Sequence, residues 1–413
     1  MAGGKQSPSA ERRAPRPASP YFAITAPGLE QLTANELAAL GVTPDAIEPG
    51  GVHFGGTIGT LYRANLHLRT ASRVVARVGG FEARHFADLE RHAKGQPWAE
   101  FIAPRRAVRL RVTCKKSKLY HSDAVAERVA AAIAHVVGAA PERSREDDEE
   151  AEDADSQLVI VRFLHDRCTI SADSSGALLH RRGYRLQTAK APLRETLAAA
   201  MLLASGWRPD APLVDPMCGA GTIAIEGALL ARRIAPGARR SFAFARWPRF
   251  DAGLWQRMVD NARERELPRA PAPIAASDRD AGAIEAASAN AARAGVAADI
   301  SFTRQSLSAA APPAGAATGW IVTNPPYGVR VGDKKALRDL YAQLGNVARR
   351  RFGGWTLAML SASAELERQT KLPLAVAFKT RNGGVPVRLV TAPIPGAPAA
   401  GPPGVATTAC SPR

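Results

Sequence analysis

The segment Leu213–Leu230, LVDPMCGAGTIAIEGALL, contains a short apolar run ending in an acid, a loop with two glycines, and a second apolar run. This pattern predicts a strand that ends at Asp215, a tight loop around Gly219 and Gly221, and a helix that begins at Thr222. Glycines let a backbone pass close to a ligand, and the first amides of a helix can face it. The segment is therefore typical of the first βα unit in a nucleotide-binding sheet.

A dinucleotide such as NAD is the first ligand to consider. The spacing Gly219-x-Gly221-x-x-Ala224 fits the dinucleotide fingerprint, which is a weak signal by itself. That fingerprint also requires an acid about 20 residues further on, whereas residues 234–246 contain three arginines and no acid. The carboxylate of Asp215 at the strand end instead suits a positively charged or amine-bearing ligand.

A second motif follows the apolar strand Trp320–Thr323, in the form Asn324-Pro325-Pro326-Tyr327. A strand with Asp-Pro-x-Cys-Gly-x-Gly-Thr, followed about a hundred residues later by Asn-Pro-Pro-Tyr, resembles S-adenosylmethionine-dependent methyltransferases that modify exocyclic amines. The longer strings PLRETLAAAMLLASGW, LVDPMCGAGTIAIEGALLA and TNPPYGVR resemble the THUMP-domain RNA methyltransferases that modify guanine N2 in bacterial 23S ribosomal RNA. This similarity extends from about Tyr21 to about Pro386.

The resemblance implies an α/β fold in which a Rossmann-like class I methyltransferase domain, with a doubly wound mixed sheet, follows a small α+β ferredoxin-like and THUMP RNA-binding region. We expect the type without a fused second methyltransferase domain. The predicted units are a disordered tail at 1–20, a small α+β domain at 21–80, a THUMP domain at 81–180 with an acidic loop at 142–155, a linker at 181–192, the methyltransferase domain at 193–391 and a second disordered tail at 392–413.

Ligands of such sheets bind beyond the carboxyl ends of the strands. Asp278 ends the second predicted strand, where a carboxylate can accept both ribose hydroxyls, although each such acid can instead cap a helix. The family often has an acid near the end of the third strand that meets the adenine amine, and at the matching position this chain has Ser306. The predicted contacts to S-adenosylmethionine are Asp215, Pro216, Gly219, Gly221, Thr222, Asp278, Ser306 and Asn324.

The Asn-Pro-Pro-Tyr motif supplies the predicted catalytic residues. Methyl transfer to guanine N2 needs acceptors that draw its N–H groups and stabilise the cationic nitrogen as it forms. Asn324 Oδ1 and the carbonyl of Pro325 can act as these acceptors, and Pro325 and Pro326 keep the backbone rigid. Tyr327 can stack on the base, which must leave its helix to reach the site.

The net charge of +17 and pI near 10.4 favour a polyanionic partner, here RNA, and ribosomal RNA or an assembling large subunit by resemblance. The segment 146–155 holds eight acids and no base, so the remainder carries +25. The loop with Lys115, Lys116 and Lys118 precedes a helix and suits RNA phosphates; a solvated turn is the alternative.

Two further basic segments have alternative interpretations. The linker around Arg182 and Arg185 is interpreted as a clamp for substrate phosphates, and the alternative is a packed crossing between domains. Residues 231–269 are rich in arginine and aromatic residues. For them we expect a helical insertion that packs on the catalytic sheet, with a wall of the active site as the alternative.

The remaining composition excludes several classes. The four cysteines have no zinc-binding spacing, so no metal site is predicted, and they favour a reduced, cytoplasmic location. No apolar run reaches the ~20 residues of a membrane span. Asn-Pro-Pro-Tyr also serves enzymes that modify guanine in transfer RNA, adenine N6 in nucleic acid, or glutamine in proteins. These targets, and a non-catalytic RNA-binding protein with the same fold, are the alternatives to ribosomal guanine.

Overall fold

The computed structural model describes residues 20–138, 141–143, 156–185, 193–327 and 334–396, which contain two large sheets. The buried positions of the strands are mostly apolar, as the sequence pattern predicts, with buried acids at Asp173 in one sheet and Asp215 in the other. No helix among these residues has the length and apolar character that a membrane crossing requires.

The N-terminal sheet has eight strands in the spatial order β2-β3-β1-β4-β8-β7-β5-β6. Alternation along β5 places Val108, Leu110 and Val112 in the core. The strands are β1 (Tyr21–Thr25), β2 (Pro44–Glu48), β3 (Gly51–Phe54), β4 (Ala71–Glu82), β5 (Val108–Lys115), β6 (Pro141–Arg143), β7 (Gln157–Leu164) and β8 (Arg167–Asp173). Its helices are α1 (Glu30–Ala39), α2 (Ile58–His67), α3 (Phe86–Lys94) and α4 (Ser122–Val137).

Strand β4 joins the two units predicted at 21–80 and 81–180. One edge of β4 pairs with β1 and the other edge pairs with β8. The predicted boundary therefore falls inside a strand, and both units share one continuous sheet. Of the predicted acidic loop, Glu142 and Arg143 lie in β6, while 144–155 lie outside the described residues.

The C-terminal sheet has seven strands in the spatial order β11-β10-β9-β12-β13-β15-β14. The first five of these run parallel, and the hairpin of β14 and β15 adds antiparallel edge strands, which gives the expected mixed sheet. The strands are β9 (Leu213–Asp215), β10 (Ile274–Asp278), β11 (Ile300–Arg304), β12 (Trp320–Thr323), β13 (Thr356–Ser361), β14 (Ala375–Asn382) and β15 (Val385–Pro393).

Helices cover both faces of the C-terminal sheet, as a doubly wound fold requires. Strand β15 continues two residues beyond the predicted domain end at 391, and 397–413 lie outside the described residues. The helices are α5 (Glu195–Ala204), α6 (Thr222–Ala231), α7 (Ala252–Glu264), α8 (Ala281–Ala294), α9 (Lys334–Arg351) and α10 (Ala364–Gln369).

The aromatic residues of the 231–269 insertion pack on the other sheet. Phe242, Phe244 and Trp247 are buried in the hydrophobic core of the N-terminal region, and Phe244 stacks on Tyr62 with ring centroids 4.5 Å apart. Trp247 Nε1 donates a hydrogen bond of 2.9 Å to Gln157 Oε1. The prediction that this insertion packs on the catalytic sheet is therefore wrong, because its large apolar rings complete the N-terminal core and join the two halves.

Candidate active site

The loop between β9 and α6 has the predicted strand–loop–helix form. Gly219 and Gly221 both have positive φ angles, of 51° and 80°, which a side chain would make costly. A Cβ on Gly221 would lie 2.9 Å from Ala287 Cβ, so this glycine also lets α8 pack closely. A Cβ on Gly219 would meet no atom within 4 Å, so open space lies above the loop where a ligand can approach.

Asp215 lies at the carboxyl end of β9 with only 1% of its surface exposed. Its Oδ1 accepts a 2.8 Å hydrogen bond from the Thr323 hydroxyl and a 3.3 Å hydrogen bond from the backbone N–H of Met217. Burial raises the pKa of Asp215 to about 7, although both hydrogen bonds act in the opposite direction. The bond to Thr323 ties the end of β9 to the end of β12.

Asp278 lies at the carboxyl end of β10, beside the same loop. Its Oδ2 accepts a 3.0 Å hydrogen bond from the N–H of Gly219, and its Oδ1 accepts one of 3.0 Å from the N–H of Asp280. The carboxylate therefore shapes the glycine loop. Its predicted contact with ribose hydroxyls would use the acceptor capacity that these two bonds leave free.

Ser306 follows β11 at the same edge of the sheet. It is exposed, and its hydroxyl lies 2.8 Å from that of Ser308. The N–H of the preceding Gln305 donates to the carbonyl of Asp278 over 2.9 Å, which holds this segment beside β10. The structure thus brings the ends of β11, β10, β9 and β12 to one edge, in that order.

The Asn-Pro-Pro-Tyr segment extends directly from β12. Asn324 is half-buried, and its Oδ1 is fully buried without a hydrogen-bond partner among the described residues. Pro325 is buried and Pro326 is exposed. The hydroxyl of Tyr327 accepts a 2.7 Å hydrogen bond from Asn382 Nδ2, and burial raises the pKa of Tyr327. An unpaired buried carbonyl is costly, so it marks a place where a donor is expected to bind.

The linker arginines point inward. Arg182 is 4% exposed, and its guanidinium donates to the carbonyls of Leu179 and Arg69 over 2.6 and 2.7 Å. Arg185 donates to the Thr222 hydroxyl over 2.6 Å and forms an ion pair of 3.3 Å with Glu195. The predicted phosphate contact of Arg182 is therefore corrected to a packed domain crossing, because its donors are occupied by Leu179, Arg69 and Glu226. The partners of Arg185 lie within the C-terminal half, and its phosphate contact stays a prediction.

Glu226 is a central residue of this crossing that the motifs did not indicate. It is 1% exposed, and its Oε1 lies 3.5 Å from Arg182 Nε and accepts a 3.1 Å hydrogen bond from the Tyr184 hydroxyl. Its Oε2 lies 3.9 Å from Arg69 Nη1. A single acid within the otherwise apolar helix α6 was the available signal, since a buried acid needs a partner.

The lysines of the predicted RNA loop are all exposed. The loop is held by the N–H of Lys118, which donates to Asp166 Oδ1 over 2.7 Å, and by the Ser117 hydroxyl, which donates to the carbonyl of Lys115. Tyr120 beside them is 67% exposed. The loop therefore presents three ammonium groups and one ring to solvent from a fixed backbone.

These residues fit a nucleoside cofactor with a charged amino-acid part. Open space lies above Gly219, the buried carboxylate of Asp215 ends the strand before this loop, and Asn324, with its unpaired Oδ1, follows the end of the neighbouring strand β12. No group of three or more metal-ligating side chains occurs in the part of the chain that the structure describes. The fold and site are those of a class I S-adenosylmethionine-dependent methyltransferase.

The comparisons with known proteins identify the family. A family model described as an RMKL-like methyltransferase domain matches residues 182–390, and a model described as an RlmL ferredoxin-like domain matches residues 20–75. The chain belongs to this RMKL-like methyltransferase family. The predicted fold class and the predicted cofactor, S-adenosylmethionine, are thereby confirmed.

Among the relatives is a Synechocystis sp. protein provisionally named an RNA methyltransferase, which is 38% identical over 90% of this chain and 96% of its own length. A ribosomal RNA large subunit methyltransferase K/L from Syntrophotalea carbinolica is 38% identical over 90% of this chain, which spans 53% of that longer protein. A Listeria monocytogenes structure, described as a predicted N6-adenine-specific DNA methylase, matches with 33% identity and a TM-score of 0.80, covering 92% of this chain and 97% of that one. SMU.472, crystallised with S-adenosylhomocysteine, matches with 29% identity and a TM-score of 0.79, covering 93% and 99%.

Proposed function

We propose that this chain is an RNA methyltransferase that transfers a methyl group from S-adenosylmethionine to the exocyclic N2 amine of a guanine in 23S ribosomal RNA. The observation that carries this proposal is the buried and unpaired Oδ1 of Asn324 at the carboxyl edge of the catalytic sheet. An acceptor of this kind matches a donor that arrives with the substrate, such as an amine. The names of the relatives support RNA as the substrate and the large ribosomal subunit as its source.

The Asn-Pro-Pro-Tyr segment is the part of the chain that would hold the amine. Asn324 Oδ1 and the carbonyl of Pro325 accept the two N–H groups and stabilise positive charge as it develops on nitrogen. Pro325 and Pro326 restrict the backbone, so both acceptors need little reorganisation. When bound, S-adenosylmethionine supplies an electrophilic methyl group on its sulfonium.

Tyr327 is suited to hold the base plane. Its hydroxyl is fixed by Asn382, so the ring has a defined orientation beside Asn324. The target guanine must leave its helix before it reaches this pocket, and stacking on Tyr327 offsets part of the cost of unstacking. After methylation the proton can pass to water, so the proposal requires no strong general base.

The exposed lysines support the RNA part of the proposal. Lys115, Lys116 and Lys118 have no ion-pair partner in the residues that the structure describes, so their charge is available for phosphates. Tyr120 lies beside them and can stack on an unpaired base. We propose that this THUMP-type loop binds the RNA in the cytoplasm, either free or within an assembling large subunit.

The decisive experiment is nucleoside analysis of the product. The purified chain is incubated with isotopically labelled S-adenosylmethionine and one of four acceptors: 23S ribosomal RNA, transfer RNA, duplex DNA or total protein. The expected result is label in N2-methylguanosine from 23S RNA, matched by loss of that nucleoside in cells without the gene. Label in N6-methyladenine, or in transfer RNA alone, would assign the site to another amine.

A further inference from the structure

A cavity of about 910 Å³ lies between the two halves of the molecule, away from the catalytic edge. The ends of α1 and α2 form one side, and the end of α6 together with α7 forms the other. Five arginines line it: Arg63, Arg69, Arg233, Arg257 and Arg265. Its volume is within the range of ligand-binding clefts, and none of the motifs predicted it.

Two of these arginines have structural tasks. Arg63 Nη1 donates to the carbonyl of Leu40 over 3.1 Å, and Arg69 Nη2 donates to the carbonyl of Ile234 over 2.7 Å. Both contacts satisfy carbonyls just after helices, which is an ordinary use of arginine. These hydrogen bonds therefore account for the positions of Arg63 and Arg69 without a ligand.

Arg233, Arg257 and Arg265 have no such task. All three are exposed, and within the described residues none has a side-chain hydrogen bond or an ion pair. The one carboxylate in the lining, Glu36, accepts from the backbone N–H groups of Arg69 and Thr70 instead. Three like charges thus lie on one cavity without an acid among the described residues to compensate them, an arrangement that favours an anionic ligand.

His67 reports the same positive field. Burial, assisted by the charges of Arg69, Arg63 and Arg265, lowers the pKa of His67 to about 4. His67 is therefore neutral at physiological pH and adds no charge of its own. The arginine charges that add to the effect of burial also favour an anionic ligand.

The lining and position of the cavity indicate which kind of anion fits. Apart from the imidazole of His67, the lining among the described residues has no aromatic ring, so it offers little surface for stacking a base. The planar guanidinium groups match the geometry of phosphate oxygens. The cofactor loop precedes the first residue of helix α6 and the cavity lies near its last, and these two residues are about 14 Å apart at 1.5 Å per residue.

We infer that this cavity, through Arg233, Arg257 and Arg265, binds backbone phosphates of the RNA substrate at a point remote from the methylated base. This inference rests on the proposed function, since it requires an RNA substrate. A folded RNA presents phosphates at several places along its surface, so one molecule can occupy the cavity and the catalytic edge together. The site adds affinity and orientation without reading sequence.

The test uses the full chain, a 23S RNA transcript and no cofactor. Filter binding across a range of salt concentrations compares the unaltered protein with Arg257→Ala/Arg265→Ala. Because each lost phosphate contact lowers the slope of log affinity against log salt by about 1, the double variant is expected to lower it by about 2. The control is Arg263→Ala, on the same helix, exposed and paired with Asp260 rather than lining the cavity.

An unchanged slope in the double variant, or an equal change in the control, overturns the inference. A thermal shift with inorganic pyrophosphate, combined with an unchanged RNA slope, would assign the cavity to a small anion and also overturn it. The proposed function fails separately. If the protein binds RNA with the expected slopes but transfers no methyl group to it, the cavity assignment stands and the assigned activity does not.

Discussion

The domain crossing and the catalytic edge both contain buried polar groups, but they satisfy them differently. At the crossing, the carboxylate of Glu226 is ion-paired with Arg182 and Arg69, although its Oε2 and Arg69 Nη1, 3.9 Å apart, make no hydrogen bond, and each guanidinium also has carbonyl partners. At the catalytic edge, Asn324 Oδ1 is buried without a partner. Charges paired inside the protein hold its two halves together, whereas an acceptor left unpaired is available to a ligand.

The largest expected effect tests the crossing. Glu226→Ala leaves two buried arginines without their carboxylate, and breaking a buried ion pair in this way costs about 3–5 kcal/mol of stability. Urea unfolding followed by tryptophan fluorescence measures the loss. The matched control is Glu365→Ala, which removes an exposed partner of Arg338. A control that destabilises as much as Glu226→Ala would mean that the crossing contributes no special stability.

The second effect tests the catalytic edge. Asn324→Ala removes the unpaired acceptor, so methyl transfer is expected to fall by about 10²–10³-fold, as when one preorganised group is lost from a transition-state site. The free energy of unfolding should not fall, because no internal hydrogen bond is lost. Asn346→Ala on the exposed surface of α9 is the control. RNA affinity is measured in parallel, and a loss of affinity as large as the loss of rate would contradict the assigned role.

The third effect concerns polar groups that are neither buried nor paired. Changing Lys115, Lys116 and Lys118 together to alanine removes three exposed charges and is expected to lower the salt slope of RNA binding by about 2–3. Unfolding stability should stay nearly constant, since these side chains make no ion pairs within the described residues. Lys94→Ala/Lys371→Ala, with exposed lysines elsewhere, is the control. An unaltered slope in the triple variant excludes the loop from the RNA footprint.

The sequence predicted most of the secondary structure because apolar spacing records local burial. The helix predicted from Thr222 begins there, and the predicted strands end at Asp215, Asp278 and Thr323. The RMKL-like family and its cofactor were also predicted, from the two motifs. Such patterns suffice wherever a residue's environment is set by its near neighbours.

The sequence could not predict the partners of charged residues, because these come from distant segments. Arg182 was interpreted as an RNA contact, and its partners lie 113 and 44 residues away, at Arg69 and Glu226. Phe244 likewise packs on Tyr62 in the other half of the molecule. A basic linker and an aromatic insertion have the same composition whether they face solvent or a neighbouring domain, so only the packed structure distinguishes the two.

The smallest expected effect concerns the ionisation of Asp215, which shares features with the paired groups of the crossing and with the unpaired group of the catalytic edge. Asp215 is buried and hydrogen-bonded, yet burial raises its pKa to about 7, so much of it is protonated in the free enzyme near neutral pH. A raised pKa stabilises the folded state below the ordinary carboxyl pKa, and this stabilisation is lost as the pH rises through about 7. The binding of a cofactor that needs the ionised carboxylate has the opposite pH dependence. Binding is weak below about pH 7 and reaches its full strength above it.

Calorimetric titration with S-adenosylmethionine should therefore give a dissociation constant roughly tenfold higher at pH 6 than at pH 8, since one pH unit below a pKa leaves about a tenth of the group ionised. Asp215→Asn cannot titrate, so any pH dependence left in that variant belongs to the ligand. The same comparison with S-adenosylhomocysteine removes the sulfonium charge and shows whether the carboxylate acts on it. If the variant and the unaltered protein respond equally to pH, Asp215 belongs with the paired groups of the crossing, and its carboxylate only joins β9 to β12 through Thr323.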